Sequence, residues 1–242
     1  MGGGDGNADI MRRILESERI SDVLDTMYLS CAELGADKFS YHPEVMFESV
    51  ASAKSDVYSR GYPAEWREIY LQGGARQVDP VPDFVMQLGK PITFRDLYPL
   101  LHLTPSARDY LRTVRKMGVL SGVGFPLWGP QGQNAFVAVG FADPDFAWSR
   151  TTIAACHMVL LAGHQKIVEL LPTSGPTPAL SSREVEVLTW IGRGKSNTDV
   201  GAILSIAPET VATYTRRIFT KLDCHDRIGA VIKGLRLGLI RL

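Results

Sequence analysis

The sequence predicts an α+β chain in two parts: a layered N-terminal domain with an antiparallel sheet, and an all-α C-terminal domain of four short helices. Three observations predict it. Segments of helical period alternate with short β-branched and aromatic runs through residues 10–171. The stretch 172–178, Pro-Thr-Ser-Gly-Pro-Thr-Pro, has no charge and no large apolar side chain, so it can bury nothing and reads as a linker. Beyond it, residues 179–242 show helical periodicity only. The divisions expected are therefore 1–171, 172–178 and 179–242.

Residues 1–9 are Gly-rich and acidic and are expected to form a frayed tail. Ile10, Ile14, Leu15, Ile20, Val23, Leu24, Met27, Leu29 and Leu34 recur mostly at three and four, which predicts one helical segment over 10–34. Further helices are expected at 64–73, 79–88, 104–117 and 148–171, and strands at 38–46, 91–94, 119–128 and 135–141. The Gly- and Pro-rich stretch 129–134 reads as the loop of a hairpin between the last two strands.

Composition excludes several classes. With 45% apolar and 21% charged residues the chain has enough apolar material for a core. The most apolar long segment, 151–171, is interrupted by His157, His164, Lys166 and Glu169, so no membrane-spanning helix is expected. Nor does the N-terminus have the basic start and apolar core of a signal peptide. Cys31, Cys156 and Cys224 form no CxxC pair, which argues against a disulfide framework or zinc knuckle and for a cytoplasmic location. The formal net charge of zero conceals an uneven distribution. Residues 1–178 carry 16 Lys and Arg against 20 Asp and Glu, whereas residues 179–242 carry 10 against 6. An acidic domain is joined to a small basic one, the electrostatic footprint expected of a nucleic-acid partner.

In the basic part, a first helix over 182–191 ends at Gly192 and Gly194. A second begins at Ser196, whose spacing to Asp199 is an N-cap signature, and is expected to bury Val200, Ile203 and Leu204. After a four-residue turn, Pro208 stands where the first position of a third helix belongs, and a fourth helix spans 226–237. Two short helices across a tight turn make a helix-turn-helix, whose second helix enters the major groove. At 100° per residue, Val211, Tyr214, Thr215, Ile218 and Leu222 share one face of the third helix, and Ala212, Thr213, Arg216, Arg217 and Thr220 the other. Arg can bond guanine bidentately and Thr can meet a thymine methyl. Taken alone, such a helix equally suits a solvated face in an ordinary bundle. Gly194-Lys195-Ser196 ends like a phosphate-binding loop, but Thr189 occupies the position of the required upstream Gly and no strand precedes it.

The run from Leu180 through Arg183, Glu184 and Leu188, followed by Gly194-Lys195-Ser196-Asn197, Ile203-Leu204, Thr210-Val211, Lys221-Leu222 and Arg227, resembles the LuxR-type DNA-binding module over about 60 residues. The resemblance implies phosphate contacts from Lys195, Thr210 and Lys221, and groove-facing positions at Ala212, Thr213, Arg216 and Arg217. Two departures weaken the turn: Ser205 stands where the family usually has Gly, and Ala207 where a capping Ser is common.

In the acidic part, Tyr62, Trp66 and Tyr70 are spaced by four, an aromatic stripe if helical, and Asp79-Pro80 reads as a helix start. A core stripe with a capping Asp is the simpler reading. The polar tips of Tyr and Trp and a carboxylate among aromatics nevertheless need partners, which an uncharged amide or ester with an apolar tail would supply. This stretch, with Ser121-Gly122, Pro126 and Gly132, resembles the autoinducer-binding domain of LuxR-type quorum-sensing regulators. The resemblance implies an α/β/α sandwich with an antiparallel sheet. It also implies that Tyr62 and Trp66 donate to the two carbonyls of an N-acyl homoserine lactone, that Asp79 accepts from its amide N–H, and that Tyr70 lines the acyl side. Phe94 replaces a second Trp at the head-group wall, and Ala138 a Ser or Thr, so the expected ligand has an unsubstituted or branched acyl chain, or is not a lactone.

The expectation is thus a ligand-responsive transcriptional regulator, not an enzyme, active as a homodimer on a pseudo-palindromic DNA operator. No metal and no cofactor beyond the small-molecule ligand is expected, and no membrane partner. The alternatives are a ligand-independent or orphan regulator responding to another signal and, more remotely, an enzyme acting on a small amide or ester. His157 and His164 are expected to be packing or surface histidines, since no HExxH motif or Cys/His cluster surrounds them.

Overall fold

The computed structural model describes residues 3–45, 57–71, 74–119, 121–171 and 178–242. The chain divides into two compact units, Met1–Leu171 and Pro172–Leu242. Most of the linker stretch, 172–177, lies outside the described residues, as do Met46, Gln72, Gly73 and Leu120 at the edges of expected elements.

The first unit is mixed α+β. Its elements are α1 (Gly3–Glu16), α2 (Ile20–Ala32), β1 (Lys38–Val45), β2 (Tyr58–Arg60), α3 (Ala64–Leu71), α4 (Val81–Leu88), β3 (Ile92–Thr93), α5 (Phe94–Leu97), α6 (Pro105–Lys116), β4 (Gly122–Leu127), β5 (Gln133–Gly140) and α7 (Arg150–Leu170). The strands form one antiparallel sheet in the order β2-β1-β5-β4-β3.

Both faces of the sheet are covered, so its alternation is one of size and not simply of apolar against polar. Phe39, Tyr41, Val123, Phe125, Leu127, Ala135, Val137 and Val139 pack with Val23, Met27, Cys31, Cys156, Leu160 and Ile167 of α2 and α7. On the opposite face the central strands present smaller or polar groups: Ser40 and His42 on β1, Ala138 on β5 and Gly124 on β4, with Phe136 as the one large ring among them. Helices α3 to α6 close over that face and leave room against it.

Two histidines fasten α7 to the sheet. His164 Nε2 donates to the Gln133 carbonyl at 2.9 Å, which leaves Nδ1 to accept from the Tyr41 hydroxyl at 2.8 Å. His157 Nε2 reaches the Pro126 carbonyl at 2.9 Å. Both histidines are therefore packing groups. Cys31 and Cys156, 125 positions apart, meet at 3.5 Å as free thiols between the two helices.

The structure corrects several expected boundaries. The segment 10–34 is two helices, and α1 begins at Gly3, inside the expected frayed tail. Both helices bury residues in the same core, so the apolar spacing runs on across the polar break at Ser17-Glu18-Arg19, which has no Gly or Pro to mark it. Leu15, Leu29 and Leu34, part of that spacing, are exposed. Strand β2 was not expected; three residues are too few to show a period. The strand at 91–94 shrinks to two residues because Thr93 caps α5, its hydroxyl accepting from Asp96 N at 3.1 Å.

The second unit holds α8 (Ser182–Gly192), α9 (Asn197–Leu204), α10 (Pro208–Leu222) and α11 (Arg227–Arg236) around Val187, Leu188, Ile191, Val200, Val211, Ile218, Leu222, Ala230 and Ile240. Capping boxes start α8 at Ser181/Glu184 and α9 at Ser196/Asp199. Arg227 locks the entry to α9, donating to Asn197 Oδ1 at 2.9 Å and to the Lys195 carbonyl at 2.7 Å. Ile203 is 43% exposed, against expectation. The inward face of α9 is formed by Val200, Gly201 and Leu204, because the returning chain packs onto Gly201, where a Cβ would lie 2.7 Å from the Ile206 carbonyl oxygen.

The turn between α9 and α10 has three residues, Ser205, Ile206 and Ala207, and both departures noted in the sequence are strained or bare there. Ser205 is left-handed at φ 56°, ψ 45°, a conformation that costs an L-residue about 1–2 kcal/mol. Ala207 caps α10 with no side-chain bond. Ser205→Gly and Ala207→Ser should each stabilise this unit by roughly 1 kcal/mol, read as a higher urea midpoint of the full chain's second transition with operator preference unchanged.

Candidate functional site

The space left under α3 to α6 is a narrow pocket, concave and lined mainly by rings and apolar side chains, the general character of small-molecule sites. Its lining includes Ser40, His42, Tyr62, Trp66, Asp79, Val81, Phe94, Tyr98, Tyr110, Phe136 and Ala138. The floor is open because of the small residues on the sheet. At Gly124 a Cβ would come within 2.9 Å of Val85 and 3.0 Å of Phe136, so glycine is what lets these side chains close in.

One wall is the aromatic stripe. Tyr62 stacks on Trp66 with ring centroids 4.1 Å apart, and Trp66 on Tyr70 at 4.7 Å. Of the six sensor residues expected at the site, Tyr62, Trp66, Asp79, Phe94 and Ala138 line the cavity. Tyr70 does not. It stands behind Trp66, 1% exposed, with its hydroxyl 3.2 Å from His42 Nδ1.

Asp79 joins the stripe to the start of α4. Its Oδ1 accepts from Val81 N at 3.0 Å, and Oδ2 lies 3.5 Å from the Tyr110 hydroxyl. Burial among the rings pushes its carboxyl up to about 6, even though Val81 N–H and the hydroxyls of Tyr70 and Tyr110 favour the charged form. Burial likewise raises the Tyr62, Tyr98 and Tyr110 hydroxyls, so they are neutral donors at physiological pH. His42 is pushed down to about 3 by burial and by the charge of Arg76, and is a neutral imidazole.

Sequence reasoning missed Ser40, His42, Tyr98 and Tyr110. Ser40 and His42 lie two apart on a strand, at the spacing that puts both on the cavity face. Tyr110 and Leu111 come from α6, whose amphipathic pattern gives no sign that one edge borders a cavity.

In the second unit, α10 presents the expected two faces. Val211, Thr215, Ile218 and Leu222 are buried and Tyr214 half-buried, while Thr213, Arg216, Arg217 and Thr220 are exposed and Ala212 half-exposed. The Thr213 hydroxyl donates back to the Glu209 carbonyl at 3.0 Å, leaving its methyl for an apolar contact. The Arg217 guanidinium lies over the Tyr214 ring. Lys195 is exposed next to the α9 N-cap, and Thr210 is exposed in the first turn of α10. Lys221 is engaged elsewhere: its ammonium donates to Glu184 Oε2 at 2.6 Å and to the Ala179 carbonyl at 3.1 Å.

An aromatic-lined pocket in one unit and a helix-turn-helix with an Arg-bearing outer face in the other point to a ligand-binding, DNA-binding class of protein. The family described as the autoinducer binding domain matches residues 19–167, and that of bacterial regulatory proteins of the luxR family matches residues 178–233. The chain belongs to the LuxR-type autoinducer-binding transcriptional regulators, a family of regulators and not of enzymes. It is 31% identical over 188 residues to the quorum sensing-dependent transcriptional regulator RpaR of Rhodopseudomonas palustris, covering 76% of this chain and 75% of RpaR. It is 33% identical over 187 residues to the transcriptional regulator y4qH of Sinorhizobium fredii, covering 75% of this chain but 56% of that one. In fold it is similar to Escherichia coli SdiA, with a TM-score of 0.69, 21% identity and coverage of 98% of this chain and 99% of the other. SdiA has also been solved in complex with octanoyl-rac-glycerol, and that chain matches at a TM-score of 0.66 and 19% identity over 100% of this chain and 98% of that one. Among the described residues, no helix is long and apolar enough to cross a membrane, and no group of three or more His, Cys, Asp or Glu could hold a metal ion.

Proposed function

We propose that the chain is a cytoplasmic quorum-sensing regulator whose N-terminal cavity takes an N-acyl homoserine lactone, and which binds a pseudo-palindromic operator as a homodimer. The observation that carries this reading is a carboxylate acceptor, Asp79, set among neutral donors, Tyr62, Trp66 and Tyr110, inside a ring-lined cavity. An amide and a lactone offer one N–H and two carbonyls to such a set, and an acyl chain suits the apolar remainder. No ionic head group is called for.

Enclosure of the ligand would couple binding to stability. A ligand that binds only the folded state adds about 2.7 kcal/mol at one hundred times its dissociation constant. Thermal melts of the full chain against lactones of graded acyl length should therefore show a rise with at least one member; no rise with any would remove the lactone assignment. A second reading, a ligand-independent regulator, is favoured by the way Tyr62, Ser40, His42 and Tyr70 satisfy one another without a ligand. Tight DNA binding that no lactone alters would support it.

For the dimer, Ile228, Ile232 and Leu235 give α11 an exposed apolar edge suited to a second copy. Two recognition helices would then read half-sites about one helical turn, 34 Å, apart. On DNA, Arg216→Ala should relax base preference at a cost of about 1–3 kcal/mol for the cognate site. Lys195→Ala should weaken all sequences alike and lower the salt slope by about 1. Binding titrations at several salt concentrations read both.

A further inference from the structure

The outer face of α10 carries a carboxylate among its arginines and threonines. At 100° per residue, Glu209, Thr213, Arg216 and Thr220 fall within a band of about 60°. That band lies opposite the buried Val211, Ile218 and Leu222, and all four of its residues are exposed. Glu209 stands in the first turn of the helix, and it is the N-terminal residues of a recognition helix that contact base edges. Its carboxylate is uncommitted. Of the six acidic residues in 179–242, Glu184 is bonded by Lys221, Glu186 pairs with Arg183, and Asp199 and Asp226 cap α9 and α11. Asp223 stands at the far end of α10. Glu209 has no ion pair or side-chain hydrogen bond among the described residues.

The helix itself supplies no partner. Ala212 and Thr213, three and four positions on, are not basic, and the Thr213 hydroxyl is spent on the Glu209 carbonyl at 3.0 Å. An acid in the first turn complements the helix dipole, but it would do so from any side of the helix. On this side, in line with Thr213 and Arg216, its charge opposes the phosphates that the unit's 10 Lys and Arg against 6 Asp and Glu attract. A hydrogen-bond donor on a base edge offsets that repulsion. In the major groove guanine presents only acceptors and thymine an acceptor and a methyl group, while adenine sets its N7 lone pair beside its amino group. Cytosine N4 is the donor that suits a carboxylate.

We propose that Glu209 is a specificity-determining residue that accepts from the amino group of a cytosine in the operator and rejects the other bases at that position. Arg216 is seven residues further along α10, about 10 Å along the axis, so the base it reads lies about three base pairs from that cytosine. The carboxylate thereby does two things. It strengthens binding where the cytosine is present, and it weakens binding to every other sequence.

The inference rests on α10 lying in the major groove, and not on the lactone or on the homodimer. Full-length protein, produced in cells supplied with a mixture of acyl homoserine lactones, is used to select duplexes from a random-sequence library, as wild type, Glu209→Ala, Glu209→Gln and Arg216→Ala. Sites selected by the wild type should share a C·G pair that Arg216→Ala still selects. Glu209→Ala should leave that position unselected, bind the wild-type site about tenfold more weakly and bind unselected duplex more tightly. Glu209→Gln should change the C·G pair to A·T, because an amide can pair with adenine N6 and N7 together. A helix-dipole role would move the melting temperature and no base preference. If the wild type selects a sequence and both Glu209 variants select the same bases, the role of Glu209 is overturned while α10 remains the reader of DNA. If the wild type enriches no sequence, the placing of α10 in the groove and this inference fail together.

Discussion

Asp79→Asn should melt higher than the wild type at neutral pH when empty, and should gain less than the wild type from a lactone. The wild-type carboxyl is pushed up to about 6 by burial, from the 3.8 ordinary for an exposed Asp in the unfolded chain. The folded state therefore holds its proton more tightly than the unfolded one. As pH rises from about 4 through 6 the empty sensor loses stability, by roughly 3 kcal/mol for a shift of this size, and below 4 the loss is absent. Asn carries no charge, and its oxygen can still accept from Val81 N. Part of the gain is offset because its amide group faces the Tyr70 and Tyr110 hydroxyls, so a net gain of about 1–2 kcal/mol is expected at pH 7 and none at pH 4. With a lactone the sign reverses. An Asn amide loses a charged acceptor worth about 1.5–3 kcal/mol, a tenfold to hundredfold fall in affinity. Melts at both pH values, with and without lactone, read all four terms. An empty variant that is less stable at neutral pH and still responds to lactone would make Asp79 only a helix cap.

Lys221→Met should destabilise the helix-turn-helix unit by about 3 kcal/mol, toward the lower end of what breaking a buried ion pair costs. Glu184 is 2% exposed, and its carboxylate accepts from Lys221 Nζ and, at 2.7 Å, from Ser181 N. Burial raises this carboxyl, but the bonds from Lys221 and Ser181 outweigh it and hold it below the usual range. Its contribution to stability is thus present at neutral pH and lost as pH falls through that lowered value. Removing the ammonium strands a buried charge, whereas Glu184→Gln/Lys221→Met removes both and should recover most of the loss. Hydrogen exchange on α8 and α10 locates the effect. If Lys221 acts chiefly on a DNA phosphate, as family likeness implies, the single variant would instead keep its stability and lower the salt slope by about 1.

These two positions also indicate what the sequence can and cannot convey. Trp66 and Tyr70 were legible by helical spacing, but Tyr62 precedes α3, and Asp79 stands one residue before Pro80, the N-cap of α4, and not at the cap expected of it. Lys221 was legible as a basic residue on α10, but its engagement with Glu184, 37 positions away, depends on how α8 meets α10. Ser40 and His42 were missed for a related reason. Their spacing of two marks one face of a strand, but only the register with β5 reveals that this face borders a cavity. The capping boxes at Ser181 and Ser196 are local, and the helices of the second unit begin close to where they were expected. The sensor's boundaries drifted where apolar spacing ran across a break, as between α1 and α2, or where an element was too short for any period, as in β2.

The central claim, that the sensor cavity holds an N-acyl homoserine lactone gripped by Asp79, is tested most directly by mass spectrometry of the molecule retained by the protein. The full-length chain and Asp79→Asn would be produced in cells supplied with a mixture of acyl homoserine lactones, purified, denatured and extracted. The expected result is close to one lactone per wild-type chain and almost none from the variant. Recovery of no lactone from the wild type, or equal amounts from both, would contradict it.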